Sequence, residues 1–225
     1  LRAKGAVHTE VFGWERPRWF SLDGREAECG FRHNNVFEVV AAECKAVRER
    51  VGVLELSSFS KYEVRGADAE TFLNRVCANK VPLRDGRIIL AHLLTERGRI
   101  ESEFTITRLS DGPWGERFFL ISSGAAHDYD LDFLTKLLPA EGYVYLKDVT
   151  TQFGVFVLAG PESRKVLQKL ADADVSNETF PWLTAQEIPV GFCPNVRALR
   201  VNFVGSLGWE LHHPIEYQNH LFDAL

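Results

Sequence analysis

From Asn35 onward the apolar residues Val36, Val40, Cys44, Val47 and Val51 recur at spacings of four, four, three and four, the stripe of a helix with one side on a core. Asn35, with Glu38 three residues later, offers a capping box, and Gly52 offers a left-handed stop. Short strand-like pieces follow at 53–56 and 62–64. Gly66, Ala67 and Asp68 then supply a turn and an N-cap for a second helix whose apolar face is Phe72, Leu73 and Val76. Asp85 and Gly86 make a turn. Strands at 88–94 and 100–107 flank the polar stretch Thr95-Glu96-Arg97-Gly98-Arg99, and together they predict a β-hairpin. In its second strand Ile100, Ser102, Phe104 and Ile106 face one way, while Glu101, Glu103, Thr105 and Thr107 face the other.

The alternation continues with a strand at 118–121 and a helix at 125–138, which shows Leu131, Leu134 and Leu138 on one side and stops at Pro139. Strands return at 143–149 and 153–158. Gly160 and Pro161 open a helix that buries Val166, Leu167 and Leu170. Last, strands at 196–203 and 209–212 bracket the loop Val204-Gly205-Ser206-Leu207-Gly208. Strands and helices interleave irregularly, several strand pairs are hairpins, and no dinucleotide-binding glycine pattern occurs. The fold class is therefore α+β, with mixed, mostly antiparallel sheets and packed helices, rather than a doubly wound parallel sheet.

Residues 1–33 break the pattern. Around Trp14-Glu15-Arg16-Pro17-Arg18-Trp19 there is no steady period, so this stretch reads as an extended arm laid over something else. With 225 residues, 45% hydrophobic and 25% charged, the rest has enough apolar mass for one large or two small domains. Lys and Arg total 26 against 31 Asp and Glu, a net charge of -5 without long runs of one sign. That balance argues against a nucleic-acid partner and leaves small molecules or proteins. Cys29, Cys44, Cys77 and Cys193 fit neither a CxxC site nor a compact disulfide framework, so reduced thiols are expected. Unbroken apolar runs fall far below the ~20 residues a membrane helix requires. There is no methionine, and Leu221-Phe222-Asp223-Ala224-Leu225 reads as the middle of an amphipathic helix, so a fragment of a longer chain is expected.

Two features offer chemistry. Glu101 and Glu103 share a strand face, where paired carboxylates can accept N–H donors or move protons, or simply form a solvated surface. After the last loop, Trp209-Glu210 sets an aromatic wall beside an acceptor, a pair that can meet a flat heterocycle or decorate an ordinary hairpin. The histidines point away from a metal site. His212 and His213 are adjacent and face opposite ways on a strand, and His8, His33, His92, His127 and His220 have no acid or cysteine at ligand spacing. Neither a GxSxG elbow nor a GxxxxGK[ST] loop occurs, which removes the commoner hydrolase and nucleotide readings.

Four segments taken together resemble a known family: Phe12-Gly13-Trp14-Glu15-Arg16-Pro17, Val53-Leu54-Glu55-Leu56-Ser57-Ser58-Phe59-Ser60-Lys61, Arg97-Gly98-Arg99-Ile100-Glu101-Ser102-Glu103-Phe104-Thr105 and Gly205-Ser206-Leu207-Gly208-Trp209-Glu210-Leu211. They are similar to the folate-binding part of dimethylglycine and sarcosine dehydrogenases, itself akin to the T protein, the aminomethyltransferase of the glycine cleavage system. The match spans nearly the whole chain, and the arm resembles the dehydrogenases more than the stand-alone aminomethyltransferase.

The resemblance implies the first two subdomains of the T-protein cloverleaf. Residues 34–60 with 145–225 would form the first, 61–144 the second, and 1–33 the arm toward a flavin domain; the C-terminal barrel would lie outside the chain. Tetrahydrofolate would be the cofactor here and FAD that of the flavin domain, with location in the bacterial cytoplasm or the mitochondrial matrix. By motif register Glu103 takes the place of the family's proton-handling acid, commonly aspartate, and with Trp209 and Glu210 it would contact the folate. Glu210 would accept the pterin's 2-amino and N3 hydrogens, two parallel donors that match one carboxylate. The family's Gly-Glu-x-Gly is Gly205-Ser206-Leu207-Gly208 here, so one acid is replaced by Ser206. Together with Glu103 for aspartate, this leaves open a non-catalytic relative such as the regulatory subunit of pyruvate dehydrogenase phosphatase, or a plain aminomethyltransferase.

Overall fold

The computed structural model describes residues 1–28, 30–201 and 205–225. A hairpin of β1 (Ala6–Val11) and β2 (Trp14–Phe20) precedes α1 (Phe37–Glu49), β3 (Gly52–Glu55), β4 (Ser60–Gly66) and α2 (Ala69–Val76). Then come β5 (Ile88–Leu94), β6 (Ile100–Gly112), β7 (Gly115–Ser122), α3 (His127–Leu137) and β8 (Tyr145–Asp148). The chain closes with β9 (Phe153–Ala159), α4 (Ser163–Leu170), β10 (Ala185–Val190), β11 (Cys193–Leu199), β12 (Gly208–Pro214) and α5 (Gln218–Ala224).

Among the described residues ten strands make two five-stranded sheets, ordered β10-β11-β12-β9-β3 and β5-β6-β7-β4-β8, with every strand pairing antiparallel. Alternation along the strands decides the layering. On β6, Phe104 and Ile106 turn to a core shared with Phe72 and Leu73 of α2 and Leu134 of α3. On β12, Trp209 and Leu211 turn to a second core with Leu167 of α4 and Leu221 of α5. The opposite faces of both sheets meet in a third cluster: Ile88, Leu109, Phe119 and Ile121 from one sheet, Ala185 and Leu199 from the other. Helices thus cover the two outer faces, and an inter-sheet layer lies between. The sheets are also stitched along their edges, where Ala185 N–H donates to Gly86 O at 2.7 Å and Ile88 N–H to Leu183 O at 3.0 Å.

Several sequence readings change. Within the extended arm read over residues 1–33, residues 6–20 form a hairpin with Trp19 buried. The period of α1 is real, but its stripe is only half covered, with Val40 and Cys44 partly or fully exposed. Its cap differs too. The Asn35 side chain accepts from Glu28 N, Asn34 takes Val36 N–H, and the helix ends at Arg50 while Gly52 begins β3. The Asp68 carboxylate leaves its own helix uncapped and accepts from Tyr143 N instead. Strand β10 carried no recognised signal. Strand β8 hydrogen-bonds to β4, so by pairing the second group of strands runs through residue 148 rather than 144. Cys29 and residues 202–204, which include the end of the predicted strand at 196–203 and the start of the following loop, lie outside the described residues.

Gly66 ends β4 at φ +130°, and a Cβ there would stand 1.8 Å from the Tyr143 carbonyl oxygen. Gly66→Ala therefore combines left-handed strain with a backbone collision that only a shift of the β8 approach can relieve. Urea unfolding is expected to show a loss of at least ~2 kcal/mol, with the midpoint moving and the slope unchanged.

Candidate functional site

The two acids of interest occupy facing sheets. On β6, Glu103 lies on the face opposite Phe104, the face that Thr105 and Thr107 share toward the inter-sheet layer. Its Cα is paired with that of His92 on β5, and Glu103 Oε2 sits 2.7 Å from His92 Nε2. Both side chains are about half exposed. Glu101 lies on the same strand face, nearer the hairpin loop.

On β12, Glu210 is next to Trp209 and so points the other way, into the layer beside its cross-strand neighbours Val157 and Leu199. Glu210 Oε2 is 3.2 Å from Nε2 of His212, two residues on and on the same strand face. The Glu210 side chain is 19% exposed and His212 only 1%, so this imidazole is solvated by protein alone. Burial, the dominant effect, pulls the His212 pKa down to about 4 against the upward pull of Glu210. A neutral ring beside a carboxylate donates through Nε2–H, which leaves Nδ1 as the bare nitrogen; it is buried without a hydrogen-bond partner among the described residues. Phe119 meets the ring edge-on at 5.3 Å.

Lys61 completes this group. It stands on β4 in the same cross-strand row as Ile121 and Thr105, wholly buried, with Nζ donating to the carbonyls of Ser57 and Phe59 at 2.7 Å each. Burial lowers its pKa to about 8, and Glu55, Asp148 and Glu210 act against that fall. Behind Lys61, on the other face of β4, Tyr62 O–H donates to the His127 carbonyl at 2.7 Å, His127 Nδ1 lies 3.2 Å from Ser60 Oγ, and Nε2 lies 3.2 Å from Asp148 Oδ2.

The structure thus brings each predicted acid to a histidine of its own and sets both on the layer between the sheets. From the Lys61 row, Glu103 is two strands across and two residues along, roughly 12 Å between Cα atoms at ordinary sheet spacings. The placement of Trp209 corrects the sequence expectation. It is fully buried in the core under α4, edge-on to Phe180 and overlaid by the Arg164 and Arg200 guanidiniums at 5.3 and 5.8 Å, so its rings cannot contact a ligand. Strand alternation forces this: a tryptophan and a glutamate in succession cannot line one wall. Ser206 lies in the loop before β12.

Linkage between His212 and folding follows from its lowered pKa. Between about pH 6.5 and 4 the unfolded chain binds a proton that the folded ring refuses, so stability is present above that window and is lost as pH falls through it. The contribution is on the order of 3 kcal/mol, and His213, lowered mainly by burial as well, adds in the same direction. Urea unfolding at a series of pH values is expected to show a shallower acid limb for His212→Asn than for the unaltered chain.

Comparison with known proteins extends this geometry. The chain is 38% identical over 216 residues to dimethylglycine dehydrogenase, mitochondrial, of Homo sapiens, covering 95% of this chain and 24% of that protein. It is 31% identical over 232 residues to the mitochondrial pyruvate dehydrogenase phosphatase regulatory subunit of Mus musculus, covering 100% and 26%. The chain therefore spans about a quarter of the length of these relatives. The crystal structure of glycine cleavage system aminomethyltransferase T from Bartonella henselae matches with a TM-score of 0.78 at 21% identity, over 99% of this chain and 54% of that one, a likeness of fold. The GCVT N-terminal domain family matches residues 1–225, from one end of the chain to the other, and the chain belongs to that family.

Proposed function

We propose that this chain is the tetrahydrofolate-binding, one-carbon-accepting region of a longer flavin-dependent N-methyl amine dehydrogenase, of the dimethylglycine or sarcosine type. The observation that carries this reading is the pair of carboxylates, Glu103 and Glu210, set by strand alternation on facing walls of one layer and each held by an imidazole. Family membership and the relatedness to dimethylglycine dehydrogenase support it.

The residues present fit a flat reduced pterin. Glu210 is mostly shielded from water, so a carboxylate there gains more from charge-assisted hydrogen bonds than a solvated one does. Its two oxygens match two parallel N–H donors, while His212 Nε2–H fixes the carboxyl plane from behind. Lys61, wholly buried, adds a positive charge whose attraction reaches Glu210. Glu103 is the more exposed acid and shares a short hydrogen bond with His92, an arrangement suited to accepting and passing on a proton. Tetrahydrofolate, when bound, supplies the two amine nitrogens that take up the one-carbon unit, giving 5,10-methylenetetrahydrofolate. In the longer protein FAD would accept the hydride from the N-methyl amine, and the location would be the mitochondrial matrix in a eukaryote or the cytoplasm in a bacterium.

A second reading has its own support. The phosphatase regulatory subunit matches the full chain, Ser206 stands where the family often has an acid, and Glu103 replaces an aspartate. On that reading the fold persists as a regulatory scaffold without turnover.

In the intact protein, Glu210→Gln is expected to weaken tetrahydrofolate binding tenfold or more by calorimetry, the loss of about 1.5–3 kcal/mol typical of a hydrogen bond to a charged group. Glu103→Gln is expected to leave that affinity within a few-fold while lowering the yield of methylenetetrahydrofolate per amine oxidised. Absence of saturable folate binding in the unaltered protein would favour the regulatory scaffold.

A further inference from the structure

We propose that Arg65, Arg117 and Trp114 form a second ligand site, one that takes the phosphate or carboxylate group of a small molecule against the indole of Trp114. It is independent of the function proposed above. Arg65 on β4 and Arg117 on β7 are direct cross-strand partners. Like charges in that position weaken a strand pair, so the sequence carries a cost here that an anion would relieve. Both lie on the strand face that also bears Lys61 and Glu63.

The protein supplies too little negative charge to balance them. The acid that pairs with Arg117 is Glu63, at 3.7 Å, and the same Oε1 lies 3.5 Å from Arg197. One carboxylate therefore serves two guanidiniums. Arg65 forms no ion pair among the described residues. Its guanidinium lies 4.6 Å from the Trp114 ring centroid, and its Nε is buried without a hydrogen-bond partner among those residues. Glu116 and Asp111, the nearby acids of the hairpin, are engaged on the other face with Arg108.

The shape agrees with the charge. Arg65, Gly112, Pro113, Trp114, Gly115 and Arg117 line a cavity of about 160 Å3 at the turn between β6 and β7. That is room for an oxyanion group with attendant water. Gly112 keeps it open, since a methyl there would stand 2.8 Å from Arg117 Cδ. Trp114 is 61% exposed, so its flat face, ordered by the Arg65 contact, is available to the body of the ligand. A planar guanidinium fork binds carboxylate or phosphate through two parallel N–H donors. Arg65 stands four residues beyond Lys61 on one strand, about 13 Å away at ordinary strand rise, which separates this cavity from the acid–histidine pairs.

The chain would be titrated with sodium phosphate and, separately, with sodium glutarate at constant ionic strength, following the five tryptophan indole N–H signals by NMR. The Trp114 signal is identified by its disappearance in Trp114→Phe. The expected result is a saturable shift of that signal in the millimolar range with one or both anions, weakened at least tenfold in both Arg65→Gln and Arg117→Gln. Saturation by phosphate alone identifies a phosphoryl ligand, and saturation by glutarate alone a carboxylate. A Trp114 signal that moves with neither anion, or an affinity in either arginine variant that matches that of the unaltered chain, overturns the site.

Discussion

One buried guanidinium fastens the two sheets together. Arg197 on β11 is 5% exposed and reaches across the inter-sheet layer to Glu63 on β4, while Glu187 on its own sheet takes it at 3.2 Å. Its flat face lies 4.4 Å from the ring centroid of Phe119, on the opposite sheet, and 5.2 Å from Phe153. Burial lowers its pKa, yet an arginine retains its proton in proteins, so the charge must be met rather than shed. Removing both acids would strand a desolvated cation, a loss on the order of several kcal/mol, whereas the ion pairs themselves contribute much less.

That constraint explains why the layer between the sheets is not a plain apolar core. Ile88, Leu109, Phe119, Ile121 and Leu199 fill part of it. The remainder holds Arg197, Lys61 and Glu210, charged groups that act on one another across a poorly solvated space, and the neutral ring of His212. A wall of this kind holds its carboxylate in a fixed orientation, because the His212 imidazole beside it is itself locked by burial. The outer cores under the helices, by contrast, are built almost wholly from aliphatic and aromatic side chains.

Much of this was legible in the residues, and the failures have identifiable causes. Alternation in 100–107 correctly put Glu103 opposite Phe104, and the strand period at Glu210 and His212 already carried their shared face. The partnership of Glu103 with His92 was hidden by one irregularity. A bulge between Leu93 and Leu94 shifts the hairpin by a residue, so His92 faces Glu103 rather than Ser102. Residue type alone misleads at Trp209, which alternation places on the core side of β12, away from Glu210. No side chain caps α1, because Asn35 is engaged by the preceding loop and Val36 takes the N-cap position. Lys61 gave no local sign of burial: its Nζ partners, the Ser57 and Phe59 carbonyls, are backbone groups that every sequence carries.

Because each acid leans on its own imidazole, and those imidazoles belong to different sheets, the layer has no single keystone for its chemistry. Drift at the β5–β6 hairpin can silence one carboxylate while the other keeps its orientation, its neighbours and its shielding. Each carboxylate is thus oriented within its own sheet, and the loss of one imidazole contact leaves the other in place.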